Sequence, residues 1–187
     1  TDSRSLYLIT SNGIYDFDKR LSIEVPEFGA GEHTTFLPCF QSSKDTIWFS
    51  NGASLYYLMP HKNYVGVLDI DINGSKIFDI SKFDGALWIT SEQGVWLVDN
   101  GQVKRRIHKD DTYKEGLPSN YISAVFCDNQ SNVWLGTSGS GLCQYNAAKE
   151  TFKYIGQEVF GRSEMIRSVA QKGNELFLCT ENEVHVL

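Results

Sequence analysis

The sequence predicts an all-β repeat protein, because a short apolar strand with an aromatic anchor recurs five times at nearly constant spacing. The anchors lie 41, 40, 46 and 43 residues apart and are Tyr7, Trp48, Trp88, Trp134 and Phe177. Six or seven residues after each anchor comes a turn position, which another short apolar strand follows. These turn positions are Gly13, Ser54, Gly94, Gly141 and Glu183. Agreement of five copies at both features indicates an internal repeat, and such a repeat decides the fold.

Each repeat contains up to four short strands separated by Gly, Asn, Asp and Ser, and no stretch has a helical period over a useful length. Asn12-Gly13 between two apolar runs is a strong hairpin signal, and Pro38 predicts a local break in its strand. In chain order the predicted strands are 6–10, 14–17 and 21–25; 35–40, 46–50, 55–59 and 64–72; 77–80, 87–90, 95–98 and 102–107; 121–127, 133–136, 142–145 and 151–155; 165–170, 175–180 and 184–187.

Four short antiparallel strands in each repeat of about 40 to 50 residues are typical of a β-propeller blade. Neighbouring blades cover both faces of each sheet, which explains continuously apolar strands such as 47–49. The whole chain, 1–187, is therefore predicted to be a single partial β-propeller with repeat units at about 1–32, 33–73, 74–115, 116–160 and 161–187. The first unit lacks its innermost strand and the fifth its outermost. We therefore expect about four to five four-stranded blades in an open arc of a larger, seven-bladed propeller, with self-association through the exposed blade faces.

Composition narrows the possible functions. The formal net charge of −6 argues against a nucleic-acid-binding surface, which needs clustered Lys and Arg. No apolar run approaches the roughly 18 to 20 residues of a membrane span, and the first residues carry no secretory signal. The chain begins inside a repeat, so we expect a segment of a longer protein. The four cysteines include no CxxC pair, which favours free buried thiols over a disulfide or metal role; they are Cys39, Cys127, Cys143 and Cys179.

The fourth unit carries a more specific pattern than a generic blade. Its elements are Gly116-Leu-Pro-Ser-Asn120, Tyr121-Ile-Ser-Ala-Val125, Asp128, Asn132-Val-Trp-Leu-Gly-Thr137, Gly141-Leu142, Tyr145-Asn146 and Phe152. This pattern resembles the two-component regulator propeller repeat, in which a GLPSN-like turn precedes a W-(I/L)-G-T strand. The match is close over 116–154, partial over 87–99 and weak in the other three units, which lack the opening turn.

The resemblance implies a non-catalytic sensor segment from the periplasmic region of a hybrid two-component receptor, of the type found in gut bacteria. Such receptors carry their histidine kinase in another part of the chain, and many respond to oligosaccharides. An oligosaccharide ligand and the rest of the parent receptor are therefore the implied partners, with no nucleic acid and no cofactor. The alternative is a scaffold propeller that binds only protein, including its own dimer partner.

Three local motifs have simpler explanations than the sites they suggest. The run 69–74 (Asp-Ile-Asp-Ile-Asn-Gly) matches half of a calcium loop, but it lacks the Glu at the twelfth position, so we expect an Asn-Gly turn. The Gly-rich run 136–141 joins two strands and precedes no helix, so it predicts a turn and no phosphate site. The basic run 104–106 falls on an outermost strand, where charge protects an exposed edge. The histidines have no metal-ligand spacing.

A candidate ligand-binding face follows from blade topology. The loops from an outermost strand to the next innermost strand, and those from the second to the third strand, share one end of each blade. Their side chains include groups that hydrogen-bond to sugars or stack on them, although the same residue types are common in turns. The predicted site residues are Asn12, His33, Asn51, Glu92, Gln93, Asn120, Tyr121, Ser138, Glu181 and Asn182.

Overall fold

The computed structural model describes residues 7–10, 13–23, 25, 37–43, 46–109, 116–147, 149–156 and 165–187. Within these ranges, short turns of Gly, Asn, Asp and Ser connect apolar segments into eighteen β-strands, with one 3-10 turn at Pro60–Lys62. The strands form five antiparallel sheets, in which chain neighbours pair with each other. We call these sheets blades 1 to 5 in chain order. The predicted all-β class and the β-propeller repeat are confirmed.

The strands have the following bounds. Blade 1 contains β1 (Tyr7–Thr10), β2 (Gly13–Asp16) and β3 (Leu21–Ile23). Blade 2 contains β4 (Leu37–Ser43), β5 (Thr46–Ser50), β6 (Leu55–Met59) and β7 (Tyr64–Leu68). Blade 3 contains β8 (Ile77–Phe83), β9 (Ala86–Ser91), β10 (Gly94–Asp99) and β11 (Gln102–Ile107). Blade 4 contains β12 (Ile122–Cys127), β13 (Val133–Thr137), β14 (Leu142–Asn146) and β15 (Thr151–Ile155), and blade 5 contains β16 (Ser168–Lys172), β17 (Glu175–Cys179) and β18 (Val184–Val186).

The chain divides into two compact units, Thr1–Asp69 with blades 1 and 2, and Ile70–Leu187 with blades 3 to 5. This division lies close to the predicted limit between the second and third repeats. In the described part of the chain, blades 1 and 5 have three strands and blades 2, 3 and 4 have four, as predicted. That the whole chain is a single partial propeller, an open arc of a larger one with seven blades, remains a prediction.

In the first unit, blades 1 and 2 share an apolar core. Ile14 of blade 1 packs in a cluster with Phe49 and Tyr56 of blade 2, and all three are almost fully buried. Burial of each such side chain stabilises the fold by about 1.5–3 kcal/mol. The ammonium of Lys19, in the turn after β2, donates to the carbonyl oxygen of Pro60 at 3.4 Å. Blade 1 is therefore joined to blade 2 by apolar packing and by this polar contact at the rim.

In the second unit, the repeat anchors lie between neighbouring blades. Trp88 of blade 3 packs with Ile122 and Leu135 of blade 4. In blade 4, Trp134 packs with Ile166, which precedes β16, and with Leu178 on β17 of blade 5. Because each anchor belongs to one blade and covers the next, stacking of blades buries the aromatic surface that a single sheet would expose. The anchors therefore fill the same position in successive blades, as the sequence alignment predicts.

The innermost strands of blades 2, 3 and 4 each carry a β-bulge near their first residue. The bulge residues are Pro38, Phe78 and Ser123, which have no partner in the pairing register. The bulge at Pro38 confirms the predicted interruption, since proline has no N–H to offer to the ladder. A bulge re-aims the side chain it carries, and the bulge in blade 3 matters for the candidate site.

The predicted strand limits are wrong at four places by three or four residues. β4 ends at Ser43 instead of residue 40, and β16 begins at Ser168 instead of residue 165. β7 ends at Leu68 instead of residue 72, and β8 continues to Phe83 instead of ending at Ile80. After β7 the chain leaves the sheet for a turn in which Asn73 and Gly74 have φ values of 53° and 65°. Such a left-handed pair is typical of an Asn-Gly turn, so the half calcium motif forms the expected turn although its preceding residues are not strand.

Candidate functional site

The candidate face is the end of the blades at which their innermost strands begin. Since neighbouring strands are antiparallel, the turn between the second and third strands lies at this same end. In blade 3 the amide of Lys76, just before β8, donates to both carboxylate oxygens of Glu92 at 2.8 and 2.9 Å. In blade 4 the Ser138 amide donates to the Tyr121 carbonyl oxygen at 3.1 Å. The two kinds of loop therefore meet within each of these blades, as the topology argument predicts.

A hydroxyl side chain holds the turn between the second and third strands in four blades. Ser91 ends β9, accepts from the Gln93 amide at 3.0 Å and donates to the Gly94 carbonyl oxygen at 3.1 Å. The hydroxyl of Thr137 makes the corresponding contacts in blade 4. Hydroxyl contacts of this kind also occur in the same turn of blades 2 and 5; they involve Ser50 and Thr180. These contacts satisfy turn amides that no strand partner reaches, and they fix the backbone of the candidate face.

An aromatic pair crosses from blade 3 to blade 4 on the candidate face. The rings of Phe78 and Tyr121 are stacked, with centroids 4.7 Å apart and an interplanar angle of 27°. The Lys76 ammonium lies 5.9 Å from the centre of the Phe78 ring, while Tyr121 retains 37% of its exposure. We call Lys76, Phe78 and Tyr121 the ring stack. The sequence predicted Tyr121 as a site residue but did not predict Phe78, because an aromatic residue beside Ile77 at the start of a strand is typical of the core.

Four of the predicted site residues make hydrogen bonds or an ion pair with other residues of the chain. Asn51 accepts from the amides of Ala53 and Ser54 and donates to the Tyr56 hydroxyl. Both carboxylate oxygens of Glu92 accept from the Lys76 amide. Asn120 accepts from the Lys109 amide at 2.6 Å, which ties the end of blade 3 to the start of blade 4. Glu181 pairs with the exposed guanidinium of Arg167.

The other predicted residues differ in burial and in their contacts. Gln93 is partly buried, and its main-chain oxygen accepts two hydrogen bonds from Arg106 at 2.8 and 3.0 Å. Asn182 is exposed in the last turn of blade 5, and Ser138 is partly buried beside Tyr121. Asn12 and His33 lie outside the described residues. Within the second unit, the structure therefore brings together the predicted residues of each single blade. Two contacts of predicted residues cross from blade 3 to blade 4, namely the stacking of Tyr121 on Phe78 and the hydrogen bond from the Lys109 amide to Asn120.

The basic run on β11 is less solvated than the sequence suggests. It does lie on an outermost strand, as predicted. The Arg106 guanidinium, however, stacks over the Trp96 ring at 5.0 Å in addition to its contacts with Gln93. Arg105 forms an exposed ion pair with Glu150 at 2.9 Å. The expectation of a purely solvated charged edge is therefore wrong for Arg106, because a planar guanidinium can cover an aromatic ring while its N–H groups bond to a carbonyl.

Two aspartates of the second unit have opposite pKa shifts. Burial raises the pKa of Asp79 to about 6, against the lowering effect of hydrogen bonds from the Val125 and Ile80 amides. Burial also acts on Asp128, but there the hydrogen bonds win and its pKa is lowered. The strongest of these come from the Trp134 indole and the Asn132 side chain, each at 2.8 Å. Asp128 therefore remains ionised as a turn-forming group, whereas Asp79 titrates close to neutrality.

The structure also bears on the cysteines and on possible metal ligands. The three cysteine side chains that the structure describes, Cys127, Cys143 and Cys179, are free, and burial raises the pKa of Cys143 to about 12. Cys39 lies on β4, and its side chain is outside the described part. Among the described residues no group of three or more His, Cys, Asp or Glu is arranged to hold a metal ion. In the same part of the chain no helix has the length and apolar character to cross a membrane.

Comparison with known proteins bears on the fourth repeat and on the fold. Residues 116–139 match the family model described as two component regulator propeller. This match lies within the fourth repeat and covers its opening turn and first two strands. No curated protein has significant sequence similarity to the chain.

Solved structures with the same fold include two from B. thetaiotaomicron, described as extracellular domains of hybrid two component systems. BT4673 is 14% identical with a TM-score of 0.62, and BT3049 is 18% identical with a TM-score of 0.54; each match covers 100% of this chain. PorZ of the type-IX secretion system of Porphyromonas gingivalis is 14% identical over 98% of this chain, with a TM-score of 0.63. The chain spans about a third of each of these structures, namely 33%, 32% and 31% of their lengths. At these identities the similarity establishes the fold alone.

Proposed function

We propose that this chain is a non-catalytic, extracytoplasmic segment of a two-component signalling receptor, and that it contributes to sensing an oligosaccharide. The observation that carries the proposal is the regulator propeller repeat at 116–139. The likeness to extracellular domains of hybrid two component systems supports it. In this view the segment lies in the periplasm, the rest of the receptor is its partner, and the histidine kinase belongs to another part of the parent protein.

The chemistry of the candidate face supports a sugar ligand. Tyr121 has an exposed aromatic ring, and the apolar face of a pyranose ring can stack on such a surface. Asn120 is exposed beside it, and the Lys76 ammonium lies at the other end of the ring stack. Hydrogen-bonding groups around an aromatic ring are the usual composition of a site that fixes the orientation of a polar ligand. We therefore place the proposed contact at the ring stack between blades 3 and 4.

A thermal-shift titration tests this proposal. The full chain is heated with defined oligosaccharides of glucose, galactose, mannose and xylose at millimolar concentration, because a ligand of the folded state raises the midpoint by mass action. We expect at least one sugar to raise the midpoint, and Tyr121→Ala to abolish that shift. Tyr64→Ala is the matched control, since Tyr64 is an exposed tyrosine on β7 of blade 2. If the shift persists in Tyr121→Ala, the sugar binds at another place on the chain. If no sugar raises the midpoint, the proposal of an oligosaccharide ligand is wrong.

A protein-binding scaffold is the second candidate, and two exposed apolar side chains on blade 5 favour it. Val184 and Val186 on β18 are 58% and 53% exposed. They pair with Cys179 and Phe177 of β17, so their side chains lie on the face that carries the anchor Phe177. The corresponding face of blades 3 and 4 is covered by the next blade. A covering partner, either a second copy or another blade of the receptor, would remove this apolar surface from water.

Sedimentation analysis distinguishes the scaffold from a monomeric ligand-binding segment. We expect the chain to self-associate at micromolar concentration and Val186→Glu to weaken the association, because the variant puts a charge on the exposed apolar face. Ala147→Glu is the matched control, because it adds the same charge at an exposed position in the turn after β14 of blade 4. A chain that stays monomeric at all concentrations would contradict self-association through this face.

A further inference from the structure

Asp79 occupies an unusual position at the junction between blades 3 and 4. It follows the bulge residue Phe78 on the innermost strand β8. Its Oδ2 accepts a hydrogen bond at 2.9 Å from the amide of Val125, on the innermost strand of the next blade. Its Oδ1 accepts a second bond at 2.8 Å from the amide of Ile80, the next residue of its own strand. A single carboxylate thus serves main-chain amides on two different blades.

The ionised form of the side chain is needed for both bonds to exist at the same time. A carboxylate offers two acceptor oxygens, whereas a protonated carboxyl group offers one carbonyl acceptor and one hydroxyl donor. The protonated group can therefore serve one of the two amides well. The Ile80 amide is adjacent in the chain and is held close in either state, while the Val125 amide depends on how blade 4 lies against blade 3. When protonation removes one acceptor, the hydrogen bond that is lost is therefore the one between the blades.

In the part of the chain that the structure describes, the strands around Asp79 carry no charged group that would hold it ionised. The strands packed against it are β9 and β12. β9 carries no titratable side chain, and β12 carries Cys127, whose thiol has a pKa raised by burial. On its own strand, Lys82 is exposed. Among the described residues no cationic side chain forms an ion pair with Asp79, so burial is the dominant influence and its pKa lies at about 6.

We propose that Asp79 is a proton-responsive link between blades 3 and 4, which holds the Val125 amide when ionised and releases it when protonated. The link adds a regulatory property that the proposed sensor role does not require, and it needs no ligand. The residue that precedes Asp79 belongs to the ring stack, so the link lies directly beside the contact from Phe78 to Tyr121. Proton uptake would therefore change the junction at the position where the candidate face crosses from one blade to the next.

Amide NMR of the full chain tests the link directly. A ¹⁵N-labelled sample is titrated from pH 8 to pH 4, and the Val125 amide proton is followed. We expect it to move upfield as the hydrogen bond to the carboxylate is lost, with a midpoint near the Asp79 pKa of about 6. The amides of Gln130 and Asn132, which donate to Asp128, are internal controls. Their resonances should stay constant over this range, because the pKa of Asp128 is lowered.

The outcomes separate the link from a general effect of pH. A Val125 resonance that does not titrate, or that titrates with the midpoint of an exposed carboxyl group, would overturn the proposal. So would a titration confined to the Ile80 amide, since the bond between the blades would then be unaffected. Asp79→Asn should abolish the Val125 titration, and a titration that persists in this variant would assign it to another group. The measurement on the unmodified chain decides the matter even where the variant does not fold.

Discussion

The two junctions inside the second unit join similar blades with different chemistry. Between blades 3 and 4, the Asp79 carboxylate accepts from Val125, Arg105 pairs with Glu150, and aromatic rings stack on the candidate face. Charged and aromatic groups therefore link these two blades outside their apolar core. The contacts made by the charged groups respond to pH and to salt.

The junction between blades 4 and 5 depends on neutral groups and on shape. The Ser123 hydroxyl donates to the Ile166 carbonyl oxygen at 2.6 Å. Asn129 and Gln171 exchange two hydrogen bonds at 2.8 and 2.9 Å. At Gly136 an added Cβ atom would lie 2.7 Å from the Ile166 side chain. The comparison shows that one repeat architecture can join its blades by titratable contacts at one junction and by close packing at the next.

The largest effect should come from filling the close contact between blades 4 and 5. Gly136→Ala forces its new methyl group against Ile166, and such overpacking costs about 1–3 kcal/mol of the free energy of unfolding. Chemical denaturation of the variant measures the loss. The double variant with Ile166→Ala is the control, because removal of the opposing side chain should make the two costs less than additive. If the costs of the two substitutions add fully, the new methyl group does not clash with Ile166, and the prediction is wrong.

An effect of comparable size should come from the carboxylate between blades 3 and 4, and it should depend on pH. The folded-state pKa of Asp79 is raised to about 6 from 3.8, because burial of the charge outweighs its two hydrogen bonds. Protonation of Asp79 therefore stabilises the folded chain, and this contribution is complete below the unfolded value and is lost as the pH rises through the folded value. Between pH 4 and pH 7 the Asp79→Asn variant should therefore gain stability relative to the unmodified chain, by on the order of 2–3 kcal/mol. Denaturant unfolding at several pH values measures this difference. A difference that is constant with pH would contradict the shifted titration.

The smallest effect should come from the surface ion pair of the same junction. Arg105 and Glu150 retain 43% and 60% of their side-chain exposure, and exposed pairs contribute about 0.2–1 kcal/mol. A double-mutant cycle with Arg105→Ala and Glu150→Ala measures the coupling at low and high salt. We expect a small coupling that disappears in high salt. A large coupling that salt leaves unchanged would show that this pair is a principal link between blades 3 and 4.

Much of the fold could be predicted from the sequence because the repeat is visible in the spacing of aromatic anchors. Trp88 and Trp134 mark equivalent positions, and turn residues such as Gly94 mark the hairpins that follow them. The bulge at Pro38 was also predictable, since proline cannot donate to a ladder. The bulges at Phe78 and Ser123 were not, because no residue type there forbids regular pairing. The loops of the candidate face were predicted, but the ring stack was not, since only Tyr121 of its three residues was among the predicted site residues.

The sequence by itself determined the all-β class, the repeat and the strand count of the described blades, since these depend on local spacing and turn chemistry. Only the tertiary structure decided which neighbouring groups meet across blades. Val125 bonds to Asp79 from 46 positions along the chain, and Gln171 reaches Asn129 from 42 positions away. No local pattern encodes such pairs, because they depend on how one bulged strand aims its side chains at the next blade. The raised pKa of Asp79 has the same origin, since burial comes from the packing of two blades against each other.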